Sequence, residues 1–560
     1  MKVTHFLTTR KKIEKEIDTA SFLLSNKLGD YLWMSGNTKS RYEGWFCRLD
    51  EKMYRFIEEI EVEDGGNVLA VGNFFNHIER KRENIEEIFY LSESSHSFVY
   101  ELTEKRNIRI FFDVKESYSS LPPKDYTITR EKEFLIIKFD PHLYLAIKTQ
   151  QGDDIKEIIN KHYSYDQSRN SPPFTRNVYK GLLLSGKRFV FAVASSKKDV
   201  LREIKKIVLK NNPKEKRDID FLCAKNALDS LFVQKENGVY AGLPWFFHFW
   251  QRDEAISLKS VTEIDKNIGK EVFFRLMESG LKKGPGGVRN IDTIGWAVKR
   301  AENIFPFLNV SEKEKIKRKI KKYLEEFLWA FTEDGLFVNQ SYETWMDSLK
   351  RDGARIELQA MKLNMYKTLR LLAREKSEKD FYEKLESEMK SKVRKAFFDG
   401  ENLYDGYYPK RSQLEKVIRP NIFIAAYIYP ELLSKKEWIK CINNALDKLW
   451  LPWGGVSTLD KTDVNFCDWH TGEDSRSYHQ GDSWFYLNNL TAIVLYRIDK
   501  RRFKNYIKKI MEASREEILF MGAVGCHGEV SSASELRSEG CVNQAWSNAL
   551  YIEAKREIRF

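Results

Sequence analysis

No uninterrupted apolar run of about 18 residues occurs in the 560-residue chain, so no membrane-spanning helix is expected. The opening stretch, MKVTHFLTTRKKIEKEID, lacks the apolar core of a secretory signal. Cysteine is sparse. Cys47, Cys223, Cys441, Cys467, Cys526 and Cys541 form no CxxC pair, which leaves no basis for a zinc ribbon or a redox motif. Free thiols in a reducing cytoplasm are the expectation. His479 has no second histidine three or four residues on, so neither a metal nor any other cofactor is expected. A one-sided basic stretch is missing too. The net charge is +12, yet runs such as KEKIKRKIKKYLEE interleave Lys with Glu at helical spacing, the pattern of a solvated helix face. Nucleic acid and membrane are therefore not expected partners.

What is present is a globular composition, 42% hydrophobic and 31% charged. The length exceeds what one core can fill and implies two or three domains. Residues 1–210 read as β. Tyr54–Val62, Asn107–Val114, Glu133–Phe139, Leu143–Thr149 and Arg188–Ala194 are short Ile-, Phe-, Val- and Tyr-rich runs with turn residues between many of them, which predicts an antiparallel β-sandwich. Residues 211–218 are charged and read as a linker. From 219 to 560 the apolar period becomes helical, with about twelve helices predicted to start near 219, 253, 267, 291, 311, 355, 377, 420, 434, 480, 501 and 541.

Unusual residues cluster at the start of every second helix. Trp250, Arg252 and Asp253 precede or open the second, and Arg289, Asn290 and Asp292 the fourth. Asp347 and Glu357 flank the start of the sixth, Arg419, Pro420 and Asn421 open the eighth, and Tyr478, His479, Gln480 and Asp482 open the tenth. Glu535, Gln544 and Trp546 surround the start of the twelfth. Two concentric rings of six helices would bring these ends together, so the expected fold is mainly α, an (α/α)6 toroid preceded by the β-sandwich. Positive dipole ends lined by Trp, Tyr, Arg and carboxylates suit a polyhydroxylated ligand. Within YETWMDSLKRDGARIELQA, Asp347 beside Trp345 has the setting of a general acid, because partial desolvation keeps a carboxyl protonated. The plainer reading of that stretch is a helix N-terminus with capping carboxylates.

Several motifs carry a family resemblance. GLPWFFHFWQRDEAISL resembles the PWFxxWGRDxxISL signature of the glucosidase half of glycogen debranching enzymes, and TWMD with IELQA resembles that family's TWMD…VEIxAL. VIRPN is similar to its RPNQ, YHQGDSW to its YHxGxxW, and ASELRSEGCVNQAWS to its SEI…GCxAQAWS. SGNTKSRYEG resembles the SGxNTRxYHG of the sandwich domain that accompanies it in prokaryotes. The chain departs at Gln251 (a Gly in the family), at Glu43 (a His), and over Leu536–Gly540, which lacks Phe-Asp-Gly.

The resemblance implies a cytoplasmic, inverting glycoside hydrolase that releases glucose from α-1,6 branch points of glycogen-like α-glucans. Asp347 is then the general acid and Glu535 the general base, with Glu529 the nearest competitor for the base. Arg252 and Asp253 would clamp vicinal hydroxyls, the Arg donating and the Asp accepting. Trp250, Trp345, Trp484 and Trp546 are candidate aromatic walls, although a single Trp is as readily core. Asp292, Glu357, Asn421, His479, Gln480 and Gln544 complete the expected substrate contacts. The expected partner is a branched α-glucan or oligosaccharide. Glucoamylase-like or trehalase-like hydrolysis, and a non-catalytic glucan-binding relative, are the alternatives.

Overall fold

The computed structural model describes residues 1–6, 11–149, 151–213, 215–279, 290–327 and 329–559. Packing divides the chain into two compact units. The first comprises Met1–Phe247, Glu516–Gly528 and Cys541–Gln544, and the second comprises His248–Arg515, Glu529–Gly540 and Ala545–Phe560. Late segments thus return to the first unit. In it the His5 imidazole meets the Leu519 carbonyl at 2.6 Å, and Gly242–Leu243 pairs with Asn543–Gln544.

The first unit is built on fifteen hydrogen-bonded strands among the described residues. Each of the five runs read as strands lies in or across an observed strand, among them Lys52–Val62, Ser97–Glu116 and Thr175–Ala194. The two 20-residue strands pair with each other antiparallel, with register shifts that bend them. One expectation needs correcting. The pairing is not wholly antiparallel, because Lys2–Phe6 runs parallel to Val68–Asn73. Their separation in sequence allows it, since parallel neighbours need a long connection. One part of the sheet is covered by the short helix Lys197–Glu203, which seats Val200 and Ile204 among Val99, Ile136, Ala146, Val190 and Ala192.

From residue 219 on, helices occur at all twelve expected places, each starting within five residues of its expected position. They are α1 (Ile219–Asp229), α2 (Gln251–Ile264), α3 (Lys266–Ser279), α4 (Thr293–Ile304), α5 (Val310–Lys322), α6 (Ile356–Leu372), α7 (Lys376–Phe397), α8 (Asn421–Ile428), α9 (Lys435–Leu449), α10 (Phe485–Asp499), α11 (Lys504–Phe520) and α12 (Ala545–Glu557). In the second unit α2 packs on α4, α4 on α6, α6 on α8, α8 on α10, α10 on α12, and α12 again on α2. The even-numbered helices are buried nearly all round, as α8 (NIFIAAYI) and α10 show. The odd-numbered α5 and α9 are amphipathic, and both start with a capping box, at Asn309/Glu312 and Ser434/Glu437. A five-stranded antiparallel sheet, made of Thr332–Glu333, Leu336–Asn339, Gly353–Arg355, Gly406–Tyr408 and Gln413–Glu415, sits among them. The sequence does not announce it, because its strands are too short to show a period-two pattern.

Candidate active site

The second unit gathers its polar residues at the N-terminal ends of the even-numbered helices. Arg252 and Asp253 lie in the first turn of α2, Asp292 is the N-cap of α4, and Glu357 lies in the first turn of α6. Asn421 opens α8, Trp484 is the N-cap of α10, and Trp546 is the second residue of α12. Arg289 lies outside the described residues.

Arg252 is the first hub. Its Nε donates to both oxygens of Asp292 (2.9 and 3.0 Å), Nη2 donates to Asn290 Oδ1 (2.9 Å), and Nη1 donates to Asp347 Oδ2 (3.0 Å). The buried guanidinium thus ties the start of α2 to the TWMD loop. Asp347 is hemmed in by protein yet open on one side, with 43% of its side chain accessible. That crowding raises the carboxyl above its ordinary pKa, while the charge of Arg252 opposes the rise. A group that can hold its proton and still be reached from solvent has the properties of a general acid.

Beside it lies an aromatic cluster. Trp345, two residues before Asp347, meets the rings of His479, Trp484 and Tyr486 edge-on at 5.4–5.6 Å. His479 stacks on Trp484 at 5.0 Å, and Tyr486 stacks on Trp546 at 4.5 Å. Ser348, the residue after Asp347, meets His479 Nδ1 at 2.7 Å. Burial, reinforced by Arg419, Arg252 and Arg351, pushes the His479 imidazole well below its usual pKa, so it stays neutral. Its Nε2, like Nε1 of Trp250 and of Trp546, is buried with no hydrogen-bond partner in the structure. Such atoms are suited to hydroxyl groups.

The second carboxylate enters through Tyr478. Its hydroxyl donates to Glu529 Oε1, and burial together with the Glu529 charge pushes the phenol far above its usual pKa. Glu529 is 1% exposed. It begins a hairpin whose Val530–Ser531 pairs with Ser483–Trp484, and the Phe485 amide donates to the Glu529 carbonyl. Gly540 closes the hairpin with φ +66, which favours glycine, and a β-carbon there would stand 2.5 Å from Glu529 Oε2 and push that carboxylate aside.

Residues 291–553 match the family model described as amylo-alpha-1,6-glucosidase. That stretch is similar to this family and covers a little under half of the chain. In fold, the whole chain is similar to a bacterial glucoamylase complexed with acarbose, at a TM-score of 0.63 and 10% identity over 96% of this chain and 94% of that one. At that identity the likeness is one of fold. An uncharacterized conserved protein from Thermus thermophilus aligns at a TM-score of 0.44 and 10% identity, over 59% of this chain and 98% of its own. No curated protein matches the sequence.

Three of the expected site residues, Glu535, Gln480 and Gln544, lie apart from this cluster. Glu535 is half exposed, 50% by side chain, and its carboxylate is taken by Arg537 at 2.7 and 2.6 Å. It is not drawn into the buried cluster, because it follows the hairpin's outward-facing turn. Gln480 also turns away, its side-chain amide donating to the Ser475 carbonyl at 2.7 Å. Gln544 belongs to the first unit, buried on the strand pair with Gly242.

Other expected contacts form the framework. Both oxygens of Glu357 accept from Arg351 (2.6 and 2.9 Å), and the same guanidinium grips Asp405 twice at 2.7 Å. Asn421 donates to Asp405 (2.7 Å) and accepts from Trp345 Nε1 (2.7 Å), so both ends of its amide are engaged in the framework. Trp345 and Trp484 are almost wholly buried within the aromatic cluster. Arg351, Asp405, Tyr486 and Ser348 have no distinguishing signal in the sequence. Arg351 sits in a charged KRDG turn, and Asp405 in a YDGYY turn.

One Arg between two buried carboxylates sets up a clear expectation. Arg351→Met leaves Glu357 and Asp405 buried and without that partner, so it is expected to destabilise the domain by about 3–5 kcal/mol. Urea unfolding of the purified variant measures it. A loss under about 1 kcal/mol would show that the network is not the strut described here.

The chain has no helix, among the described residues, long and apolar enough to cross a membrane.

Proposed function

We propose that this protein hydrolyses α-1,6 branch-point linkages of glycogen-like α-glucans and releases glucose, with Asp347 as general acid and Glu529 as general base. One observation carries the reading. Ser348, next to Asp347, bonds His479, and Tyr478, next to His479, bonds Glu529, so two carboxyl groups in different settings are joined through two adjacent residues. Asp347 stands partly open beside Arg252, while Glu529 is enclosed and held by a phenol. Carboxyls in dissimilar settings can divide the roles of acid and base. The base moves from Glu535 to Glu529 because a carboxylate half exposed and paired to an Arg is poorly placed to activate one particular water.

The even-numbered helices are read as the inner ring of an (α/α)6 toroid, a reading supported by the packing that returns from α12 to α2. Arg252, Asp253, Trp250, His479 and Trp546 would hold the terminal glucose, the unpartnered ring nitrogens of the last three meeting its hydroxyls. The mechanism is taken as inverting, with water held at Glu529, so the first glucose formed is the β anomer.

A panel of branched limit dextrin, panose, maltotriose and trehalose, with glucose release measured, tests the reading. Release from the α-1,6-linked substrates alone supports it. The glucoamylase-like fold keeps a second reading in play, an exo-acting α-1,4 hydrolase, which rapid release from maltotriose would select. Proton NMR in the first minutes reads the anomer, and α-glucose as the first product would replace inversion with retention.

A further inference from the structure

Next to the Glu529 hairpin, the segment Asp460–Arg476 carries an aromatic ring that is anchored yet half exposed. Trp469 keeps 48% of its surface accessible. Its backbone is fixed on both sides. The Ser534 amide donates to the Asp468 carbonyl (2.9 Å), and the His470 amide donates to Ser532 Oγ (3.0 Å). From the same hairpin Arg537 lays its guanidinium over the Trp469 ring, 4.7 Å from the centroid. Arg537 is itself held by Glu535 at 2.7 Å and by its own amide donating to Ser531 Oγ at 2.8 Å. An indole face, a guanidinium and a carboxylate therefore stand together on a patch that begins just beyond Glu529 in the chain. The patch is tied to the Glu529 hairpin in space too, because His470, beside Trp469, meets Asp482 Oδ2 at 2.7 Å, and the adjoining Ser483–Trp484 pairs with Val530–Ser531, next to Glu529.

A singly exposed tryptophan is ordinary. One held in place by two loop anchors beside a paired Arg and Glu has the parts of a sugar platform. The indole offers a flat surface to the apolar face of a pyranose ring, and the Arg and Glu supply a donor and an acceptor for neighbouring hydroxyls. The Arg and Glu charges cancel, so the patch suits a neutral polymer better than a nucleic acid or an acidic peptide.

We propose that Trp469, Arg537 and Glu535 form the binding platform for the leaving-group side of the substrate, the α-glucan chain that remains after the branch glucose is removed. The proposal rests on the catalytic assignment of Asp347 and Glu529. It also gives a use to Glu535, which directly precedes Leu536–Gly540, where the chain departs from the family's Phe-Asp-Gly.

The full-length Glu529→Gln protein allows binding to be read without turnover, by titration calorimetry with branched limit dextrin and, separately, with glucose. Adding Trp469→Ala is expected to weaken limit-dextrin binding about tenfold. Trp469→Phe, which keeps a stacking face, should recover most of it. In the active enzyme, Trp469→Ala should lower kcat/KM for limit dextrin about tenfold relative to that for an aryl α-glucoside, through KM. Limit-dextrin affinity within about twofold of the parent, or glucose binding weakened as much as dextrin binding, would overturn the platform. If Glu529→Gln does not bind limit dextrin and the native protein releases no glucose from it, the α-glucan reading itself has failed. The proteins with Trp469 intact tell these two failures apart.

Discussion

Replacing Asp347 by Asn is expected to lower turnover of a branched limit dextrin by about 10²–10⁴-fold while leaving fold and substrate binding in place. Asn keeps an oxygen to accept from Arg252 Nη1, and Arg252 keeps its pairing with Asp292, so the loop should not move. What disappears is the proton. Circular dichroism and dextrin affinity are the controls, and single-turnover hydrolysis is the readout. The pH profile carries a second signature. Because the crowding around it raises the Asp347 carboxyl, its protonated form persists to higher pH than an ordinary aspartic acid would allow. Loss of that proton should set the alkaline limb of kcat/KM in the native enzyme. The limb should be absent from whatever activity Asp347→Asn retains. Near-normal turnover in the variant would place the acid elsewhere.

Glu529→Gln should cost a similar factor, about 10²–10⁴ in rate, whereas Glu535→Gln should leave stability within about 0.5 kcal/mol of native. The contrast follows from their settings. A glutamine amide in place of the Glu529 carboxylate would still accept from the Tyr478 hydroxyl and fit beside Gly540, so the hairpin should survive. It could no longer take a proton from water. Glu535 is half exposed and engages Arg537, so its loss should be felt in dextrin affinity rather than in the chemical step. Rapid-mixing hydrolysis of the two variants side by side decides the matter. The base assignment fails if Glu535→Gln abolishes the chemical step and Glu529→Gln spares it.

Much of this is legible in the sequence where the signal is local. The twelve helices follow from apolar spacing within each segment, and the special residues at alternate helix starts point to the N-terminal ends where the structure places Arg252, Asp292, Glu357, Asn421, Trp484 and Trp546. The parallel pairing of Lys2–Phe6 with Val68–Asn73 is not legible, because nothing near residue 2 encodes a partner so far along the chain. The split of residues 516–544 between the two units is of the same kind.

The choice between Glu529 and Glu535 shows where sequence reasoning ends. They are close in the chain and chemically alike. Their difference comes from Tyr478, which encloses one, and from a surface turn that leaves the other with Arg537. Glu357 and Asn421 are recognisable as special, but their work is fixed by Arg351, Asp405 and Trp345, from other elements. The sequence alone determined that this protein has a β-rich part and a helical part, and which residue types crowd the helix starts, because helix period and terminus chemistry act over a few residues. Only the tertiary structure decided which of those groups are buried, which are paired and which remain open, because desolvation and ion pairing depend on what is brought close from distant parts of the chain.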